Sequence, residues 1–258
     1  MHHQGIMQIL QFENLLTHQH INHFSTTRTG GTSQDNLASL NLGYTVGDKP
    51  LNVTQNLGFL AKSLGIERSQ FVFPKQNHSV NIEIVESSNN IFPDTDALIT
   101  NVPGICIAVR TADCVPVLLY DPIQKAIAAI HSGWKGTLQK ITNKTIVRMT
   151  KAFGCNPGDI IAGIGPSIGP EVYEVGKDVI DGFDKEFKKN TFFKAIKDSD
   201  KALLNLWKAN EQILLDSGVP KKNIEIAEMC TYSNPNLFYS ARRDGQRSGR
   251  LATGIMLK

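Results

Sequence analysis

Three residues of this chain have side chains that could bind one soft metal ion together. They are His78 in the segment KQNHSVNI, Cys114 in TADCVPVLLYDP and His131 in AAIHSGWKGT. Imidazole and thiolate ligands suit zinc or copper far better than calcium or magnesium. Three protein ligands leave one coordination position open, as in catalytic zinc sites, whereas structural sites fill all four. The three residues lie too far apart along the chain for a zinc finger, so only the fold can bring them together.

The predicted strands place all three residues where a shared site could form. Residues 80–86 alternate between apolar and polar, which is typical of a half-buried strand. Residues 115–121 and 126–131 are almost continuously apolar, which indicates buried central strands. His78 precedes the first of these strands, Cys114 precedes the second, and His131 ends the third. Strand ends meet at the rim of a sheet, which is the usual place for a site in an α/β protein.

The rest of the chain alternates between predicted loops, helices and strands. Residues 25–48 are rich in Gly, Ser, Thr and Asn and predict a long loop, a kind of segment that tends to be functional. A helix should follow, capped by Asp48, with Pro50 in its first turn and Gly65 at its end. Further helices are predicted at residues 136–153, 175–188 and 201–217, and further strands at 104–109, 159–165, 223–229, 237–241 and 251–257.

This order of elements predicts an α/β (α+β) fold with mixed β-sheets flanked by helices. We expect a single domain over residues 1–258, with residues 1–20 as a candidate peripheral segment. Hydrophobic residues make up 41% of the 258-residue chain, which is ample for a large core. A second histidine group, His18, His20 and His23, is interpreted as an exposed segment before a strand rather than as a metal site.

Charge and composition limit the kinds of partner that this protein is expected to bind. The net charge of +3 is too small to indicate nucleic-acid binding, which normally shows a basic stripe. No apolar run is long enough for a membrane span, and the first residues do not resemble a secretory signal. The four cysteines form no CxxC pair, which favours reduced thiols in the cytoplasm. The densest basic stretch, near the C-terminus, is either a solvated loop or an anion site.

Each of the three candidate ligands also has a purely structural interpretation. Cys114 could be a small buried thiol, His131 could be hydrogen-bonded to the loop that follows it, and His78 could be a surface histidine. The residue types alone leave these alternatives open.

Several motifs taken together resemble the YfiH-like family, also described as laccase-domain or multicopper-polyphenol-oxidase-like proteins. They are QNHSV, DALIT, TADCVPVLLYDP, HSGWKGT, GPSIGPEVYEVG and the C-terminal CTYSN…FYSARRDGQRSGR, and they extend over nearly the whole chain. The resemblance implies that His78, Cys114 and His131 bind one zinc, or copper. This chain has NHS where the family usually has VHG, and HSGW where HAGW is common. Its FSTTRTGG has one more residue than the usual signature, which affects the placement of Arg28.

The resemblance implies a purine nucleoside enzyme rather than a laccase. A laccase needs about four coppers and roughly ten histidine ligands, since copper prefers imidazole, and this chain has seven histidines. The family is associated with phosphorolysis of adenosine, inosine, guanosine and methylthioadenosine, and with adenosine deamination. The expected partners are therefore a small nucleoside and phosphate, with no nucleic acid and no membrane.

Both reactions assign candidate roles to further residues. Deamination needs a carboxylate to move protons, and Asp113 is the nearest candidate, although it could equally be a turn residue that holds the strand end. Phosphorolysis needs cations for phosphate, and Arg28, Lys75 and Arg243 are candidates because their groups suit phosphate. Asn41 is a candidate hydrogen-bonding partner for the base or ribose.

Two other activities remain open at this stage. Cys114 and His131 could form the thiolate–imidazole pair of a cysteine hydrolase or deamidase, because the family fold is similar to that of glutamine-deamidating toxins. That interpretation leaves His78 without a role. Some bacterial relatives are linked to hydrolysis of mis-made peptidoglycan precursors, which is a third possibility.

Overall fold

The computed structural model describes residues 7–187 and 191–258. Residues 1–6, which belong to the candidate peripheral segment, and the end of the helix predicted at 175–188 lie outside the described residues. The described strands are β1 (Ile9–Leu10), β2 (Ile21–Thr26), β3 (Phe71–Val72), β4 (Ile82–Ile84), β5 (Ala97–Thr100), β6 (Cys106–Thr111), β7 (Val115–Asp121), β8 (Ala126–Ser132), β9 (Ile161–Ile164), β10 (Glu174–Val175), β11 (Phe193–Ala195), β12 (Ala202–Leu204), β13 (Ile224–Ile226) and β14 (Leu251–Leu257). The helices are α1 (Glu13–Leu16), α2 (Pro50–Leu64), α3 (Trp134–Leu138), α4 (Ile141–Phe153), α5 (Lys177–Glu186), α6 (Leu206–Asp216) and α7 (Ala241–Asp244).

The strands of the described residues form two large sheets and one small one. The first large sheet has the order β1-β2-β14-β6-β3, the second has β13-β9-β7-β8-β5-β4, and the small one has β10-β12-β11. Both large sheets are mixed. The first contains one parallel pair, β3 with β6, and the second contains two, β13 with β9 and β4 with β5, beside antiparallel pairs. The predicted α/β fold with mixed sheets is therefore confirmed.

The two large sheets pack face to face, with helices on the outside. A cluster that includes Ile107, Leu118 and Ile127 lies between the sheets. On the outer face of the second sheet, α4, α5 and α6 cover a second cluster, whereas α2 packs on the outer face of the first sheet. As a result every residue of β7 and β8 is buried, which explains why their sequences are almost continuously apolar.

The helix predicted after the long loop is confirmed, with one correction at its start. Pro50 occupies the first turn, where its missing N–H costs nothing, and Gly65 ends the helix with φ of 68°. Lys49, and not Asp48, has the cap position. The Asp48 carboxylate lies one residue earlier and accepts hydrogen bonds from the Lys49 N–H and the Asn52 side chain.

Three other predicted elements are wrong in part. The helix predicted at 136–153 is two helices, α3 and α4, because Lys140 has φ of 55° and breaks the backbone between them. The helix predicted at 201–217 begins later: β12 comes first, and Asn205 then caps α6 by accepting the Lys208 N–H. The strand predicted at 237–241 is absent from this described region, where Ser240 instead caps α7.

The described part of the candidate peripheral segment packs into the fold. β1 pairs with β2, and Phe12 and Leu15 are buried in the cluster between the sheets. In the histidine segment predicted to be exposed, His20 is exposed and His18 is half-buried, but His23 is buried and its Nε2 accepts the Phe12 N–H at 2.8 Å. Among the described residues, no helix combines the length and the apolar character that crossing a bilayer requires.

Candidate metal centre

The register of the second sheet explains why the three candidate ligands meet. β7 runs antiparallel to β8 with Val115 opposite Ser132, so Cys114 at the start of β7 lies beside the end of β8, which carries His131. β5 runs antiparallel to β8 on its other side, and β4 runs parallel to β5. The loop before β4 therefore brings His78 to the same rim of the sheet.

The structure brings His78, Cys114 and His131 together as the sequence predicted. One ligand atom from each lies within 4.8 Å of the other two, and no other such group of three occurs among the described residues. The two imidazole rings have centroids 4.9 Å apart and cross at 62°. His131 is buried, Cys114 is half-buried and His78 is exposed, so the cluster opens to solvent on the His78 side.

The donor set fits a borderline-soft cation. Zinc binds imidazole nitrogen and thiolate sulfur at about 2.0–2.3 Å, and small side-chain rotations would close donors that already lie within 4.8 Å of one another. No carboxylate belongs to this group of donors, which disfavours calcium and magnesium.

The surroundings raise the pKa of His131 and lower the pKa of His78. Burial disfavours the charged form of His131, but the adjacent Cys114 and the hydrogen bond to Asp96 outweigh burial and raise its pKa. Burial lowers the pKa of His78, and the positive charges of His131, Lys135 and Arg250 lower it further against the opposing effect of Asp96. Lys135 and Arg250 therefore lie within electrostatic reach of the exposed side of the cluster.

Gly133 leaves the space in which two of the donors approach each other. It follows β8 and precedes α3, and a Cβ placed on it would lie 3.0 Å from Cys114 Sγ and 3.0 Å from His78 Nδ1. Its φ of −67° suits any residue. Close packing, and not backbone conformation, is therefore the reason for glycine here.

Gly133→Ala should displace the Cys114 and His78 side chains by a few tenths of an ångström while leaving the fold intact. We expect zinc affinity to fall by about tenfold or more, because small misplacements of site groups are costly. A competition titration with a chelator measures the affinity. Gly58→Ala in α2, where an added Cβ meets nothing within 4 Å, is the matched control and should bind zinc like the wild type. Equal affinity of all three proteins would contradict this account of Gly133.

Asp113 is an anchor between distant parts of the chain. Its buried carboxylate accepts hydrogen bonds from Thr231 Oγ1 at 2.6 Å, Ser240 Oγ at 3.0 Å and the Arg242 N–H at 2.7 Å. The residue has φ of 90°, a left-handed conformation that Asp tolerates better than most residues. This geometry favours the turn-residue interpretation of Asp113 over the proton shuttle, because both carboxylate oxygens are already occupied.

Two of the three arginine and lysine residues predicted to bind phosphate are engaged within the protein. The Arg28 guanidinium donates to three backbone carbonyls and stacks on Tyr239 at 4.5 Å. The Arg243 guanidinium donates to three other backbone carbonyls and pairs with Asp244. Arg243 thus uses all five of its N–H donors, and Arg28 uses three of its five. Lys75 is exposed, three residues before His78.

Asn41 is fully buried and fully hydrogen-bonded. Its amide donates to Gly43 O and Asp48 Oδ2, and its oxygen accepts the N–H groups of Gly43 and Arg250. It therefore holds the long loop against the C-terminal segment, which is a different task from the substrate contact that the sequence suggested.

Sequence reasoning missed Asp96, Gly133 and Lys135 around the cluster, whereas Arg250 belongs to the C-terminal basic stretch already interpreted as either a solvated loop or an anion site. Asp96 is fully buried, and its Oδ1 lies 2.6 Å from His131 Nδ1. The motifs DALIT and HSGWKGT contain Asp96, Gly133 and Lys135. Polar and glycine residues at the ends of predicted strands were therefore a signal that the sequence offered.

Comparison with known proteins gives consistent matches over almost the whole chain. The sequence profile described as multi-copper polyphenol oxidoreductase laccase matches residues 22–258. A purine nucleoside phosphorylase of Bacteroides thetaiotaomicron is 39% identical over 97% of this chain and 96% of its own length. Adenosine deaminase RL5, from an unknown prokaryotic organism, is 35% identical over 91% and 93%. The crystal structure of YlmD from Geobacillus stearothermophilus superposes with a TM-score of 0.92, at 30% identity, over 99% of this chain and 98% of that one.

Proposed function

Because this chain belongs to the YfiH-like family of multi-copper polyphenol oxidoreductase laccases, we propose that it is a zinc-dependent purine nucleoside phosphorylase that also deaminates adenosine. Adenosine, inosine, guanosine and methylthioadenosine are the proposed nucleosides. Relatives named for each of these two activities match more than nine-tenths of the chain. The observation that carries the proposal is the open cluster of His78, Cys114 and His131 at the rim of the second sheet.

The proposed metal is one zinc ion, with copper as the alternative. A zinc ion held by His78, Cys114 and His131 would supply Lewis-acid chemistry at its open position. A multinuclear copper cluster is a poor fit, because the seven histidines of the chain cannot supply its ligands.

The two proposed reactions share a bound purine and differ in the attacking group. In phosphorolysis, a phosphate oxygen forms a bond to ribose C1′ as the bond to the purine nitrogen breaks, and the purine takes up a proton. In deamination, water adds at C6 of adenine and ammonia leaves. Only the first reaction requires the protein to hold an anion, so cations beside the cluster should matter for phosphorolysis alone.

We propose Lys135 and Arg250 as the phosphate-binding pair, with Lys75 as a third cation at the edge of the site. Lys135 is exposed two residues after Gly133, and Arg250 packs against Gly43. The described residues provide neither side chain with an ion-pair partner. The Arg250 guanidinium also donates to three backbone carbonyls, all of its own loop, but unlike Arg28 and Arg243 it is among the charges that act on His78. Uncompensated cations next to an open site are suited to binding phosphate.

Replacing both Lys135 and Arg250 by glutamine should raise the KM for phosphate by about 10-fold or more, since a hydrogen bond to a charged group is worth about 1.5–3 kcal/mol. Adenosine deamination should change much less. Steady-state kinetics at varied phosphate, with inosine saturating, measure the effect. Lys151→Gln on the exposed face of α4 is the control that removes a charge remote from the cluster. An unchanged KM for phosphate would exclude this pair and leave Lys75 to be tested next.

The proposed activity is tested directly by incubating the zinc-loaded protein with each nucleoside, with and without phosphate, and identifying products by mass spectrometry. We expect free base and ribose 1-phosphate from inosine and adenosine, and slower formation of inosine from adenosine. Absence of turnover on every nucleoside, with zinc bound, would contradict the proposal and favour a binding module.

One geometric observation favours a cysteine hydrolase as the second candidate. Cys114 Sγ lies within 4.8 Å of a ring nitrogen of His131, and His131 Nδ1 lies 2.6 Å from Asp96 Oδ1. A thiol, an imidazole and an orienting carboxylate in this order form the arrangement of a nucleophilic hydrolase. Chelation separates the candidates: a zinc enzyme loses activity reversibly, whereas a thiol hydrolase survives chelation and is inactivated by alkylation of Cys114.

A further inference from the structure

One buried carboxylate, that of Asp96, contacts both histidines of the candidate metal centre. Asp96 immediately precedes β5 and is 0% exposed. Its main chain also belongs to the site, because its carbonyl accepts the His131 N–H at 2.7 Å. Because Asp96 is not one of the three donors, its carboxylate can form hydrogen bonds to the residues that are.

The first contact fixes the His131 ring. Asp96 Oδ1 lies 2.6 Å from His131 Nδ1, and both residues are buried. A carboxylate at that distance requires a proton on Nδ1, which leaves Nε2 as the nitrogen that can bind a metal. Asp96 therefore selects the tautomer of His131 and the direction of the ring.

The second contact fixes the turn that carries His78. Asp96 accepts the N–H of Asn77 at 3.3 Å, of His78 at 3.1 Å and of Ser79 at 2.7 Å, and also the Ser79 hydroxyl at 2.8 Å. His78 has φ of 65°, a left-handed conformation that is uncommon for residues other than glycine. Successive backbone N–H groups that point at one anion form a nest, and the anion stabilises the turn.

We infer that Asp96 is the positioning residue that pre-forms the metal centre, by holding two of its three donors in place before any metal arrives. The inference rests on the metal part of the proposed function and adds that zinc affinity depends on a residue that does not touch the ion. Asp96 thus holds both histidines, whereas Cys114 is held separately, through the hydrogen bonds of its neighbour Asp113.

The test is the zinc affinity of Asp96→Asn, measured by chelator competition with zinc alone and no nucleoside. Asparagine has the same shape, but its amide nitrogen cannot accept the N–H groups that one carboxylate oxygen accepts now. We expect affinity to fall about 10–100-fold, the usual cost of losing a residue that orients a metal ligand. The control is Asp94→Asn, two positions away. Asp94 is exposed, and its Oδ1 accepts the Asn77 side-chain amide at 2.9 Å, which an asparagine oxygen can still accept, so zinc affinity should stay within about twofold of the wild type.

Two measurements on the metal-free wild-type protein keep the inference falsifiable if Asp96→Asn does not fold. Amide exchange should show the His78 and Ser79 N–H groups already protected, and imidazole ¹⁵N spectra should show His131 protonated at Nδ1. Protection that appears only after zinc is added would overturn the inference, as would wild-type zinc affinity in a folded Asp96→Asn. A wild-type protein that binds no zinc would instead overturn the proposed function, and the inference with it.

Discussion

Cys114→Ala is expected to lose bound zinc and to lose phosphorolysis and deamination together, because both reactions are proposed to depend on one metal. Losing a residue that only supports a metal ligand costs about 10–100-fold, so loss of a ligand should cost more, about 10³-fold in kcat/KM. Metal analysis and steady-state kinetics on inosine and adenosine measure the three losses. Circular dichroism should show an unchanged fold, since the Cys114 side chain is only half-buried at the rim.

The matched control for this change is Cys106→Ala. Cys106 is buried in β6 within the cluster under α2 and lies outside the metal centre. Its replacement should lower thermal stability slightly and leave zinc content and both activities at the wild-type level. If Cys114→Ala destroyed deamination but left phosphorolysis intact, the shared metal would be wrong and two separate sites would be required.

Asp113→Ala is expected to destabilise the whole protein as well as the site. The change removes the acceptor for Thr231, Ser240 and the Arg242 N–H, and it places alanine at φ of 90°. Unpaired buried donors cost about 1–3 kcal/mol each, so the free energy of unfolding should fall by about 3 kcal/mol or more. For a chain of this size that lowers Tm by roughly 6–10 °C.

Asp198→Ala is the matched control, because Asp198 also has positive φ, at 57°, but is exposed. This variant also places alanine at positive φ, but it loses no buried hydrogen bonds. Its Tm should therefore fall far less than that of Asp113→Ala. Calorimetry measures both variants. Wild-type Tm in Asp113→Asn together with selective loss of deamination would contradict the anchor and restore Asp113 as a proton shuttle.

The sequence could predict the three donors and the strands that carry them, because these strands have strong local signals. β7 and β8 are buried on both faces, and burial of that kind produces apolar runs that are visible without a structure. The break between α3 and α4 was not visible, because it depends on the left-handed conformation of Lys140, a residue type that normally favours helix.

The supporting residues could not be predicted for a different reason: their partners are distant in sequence. Arg28 is suited to phosphate by its chemistry, yet three of its five N–H donors are used by the carbonyls of Asn36, Ala38 and Pro235. Asn41 is similarly occupied by Arg250, at the other end of the chain. A side chain's chemistry is a local property, whereas whether it is already hydrogen-bonded depends on the folded neighbours.

The most direct test of the account is to titrate metal-free protein with zinc while following inosine phosphorolysis. We predict that hypoxanthine and ribose 1-phosphate appear in equal amounts, that the rate rises in proportion to bound zinc, and that it levels off at about one zinc per chain, as a single three-donor site requires. Full phosphorolysis by the metal-free protein, or zinc binding that leaves the rate unchanged, would contradict the central claim.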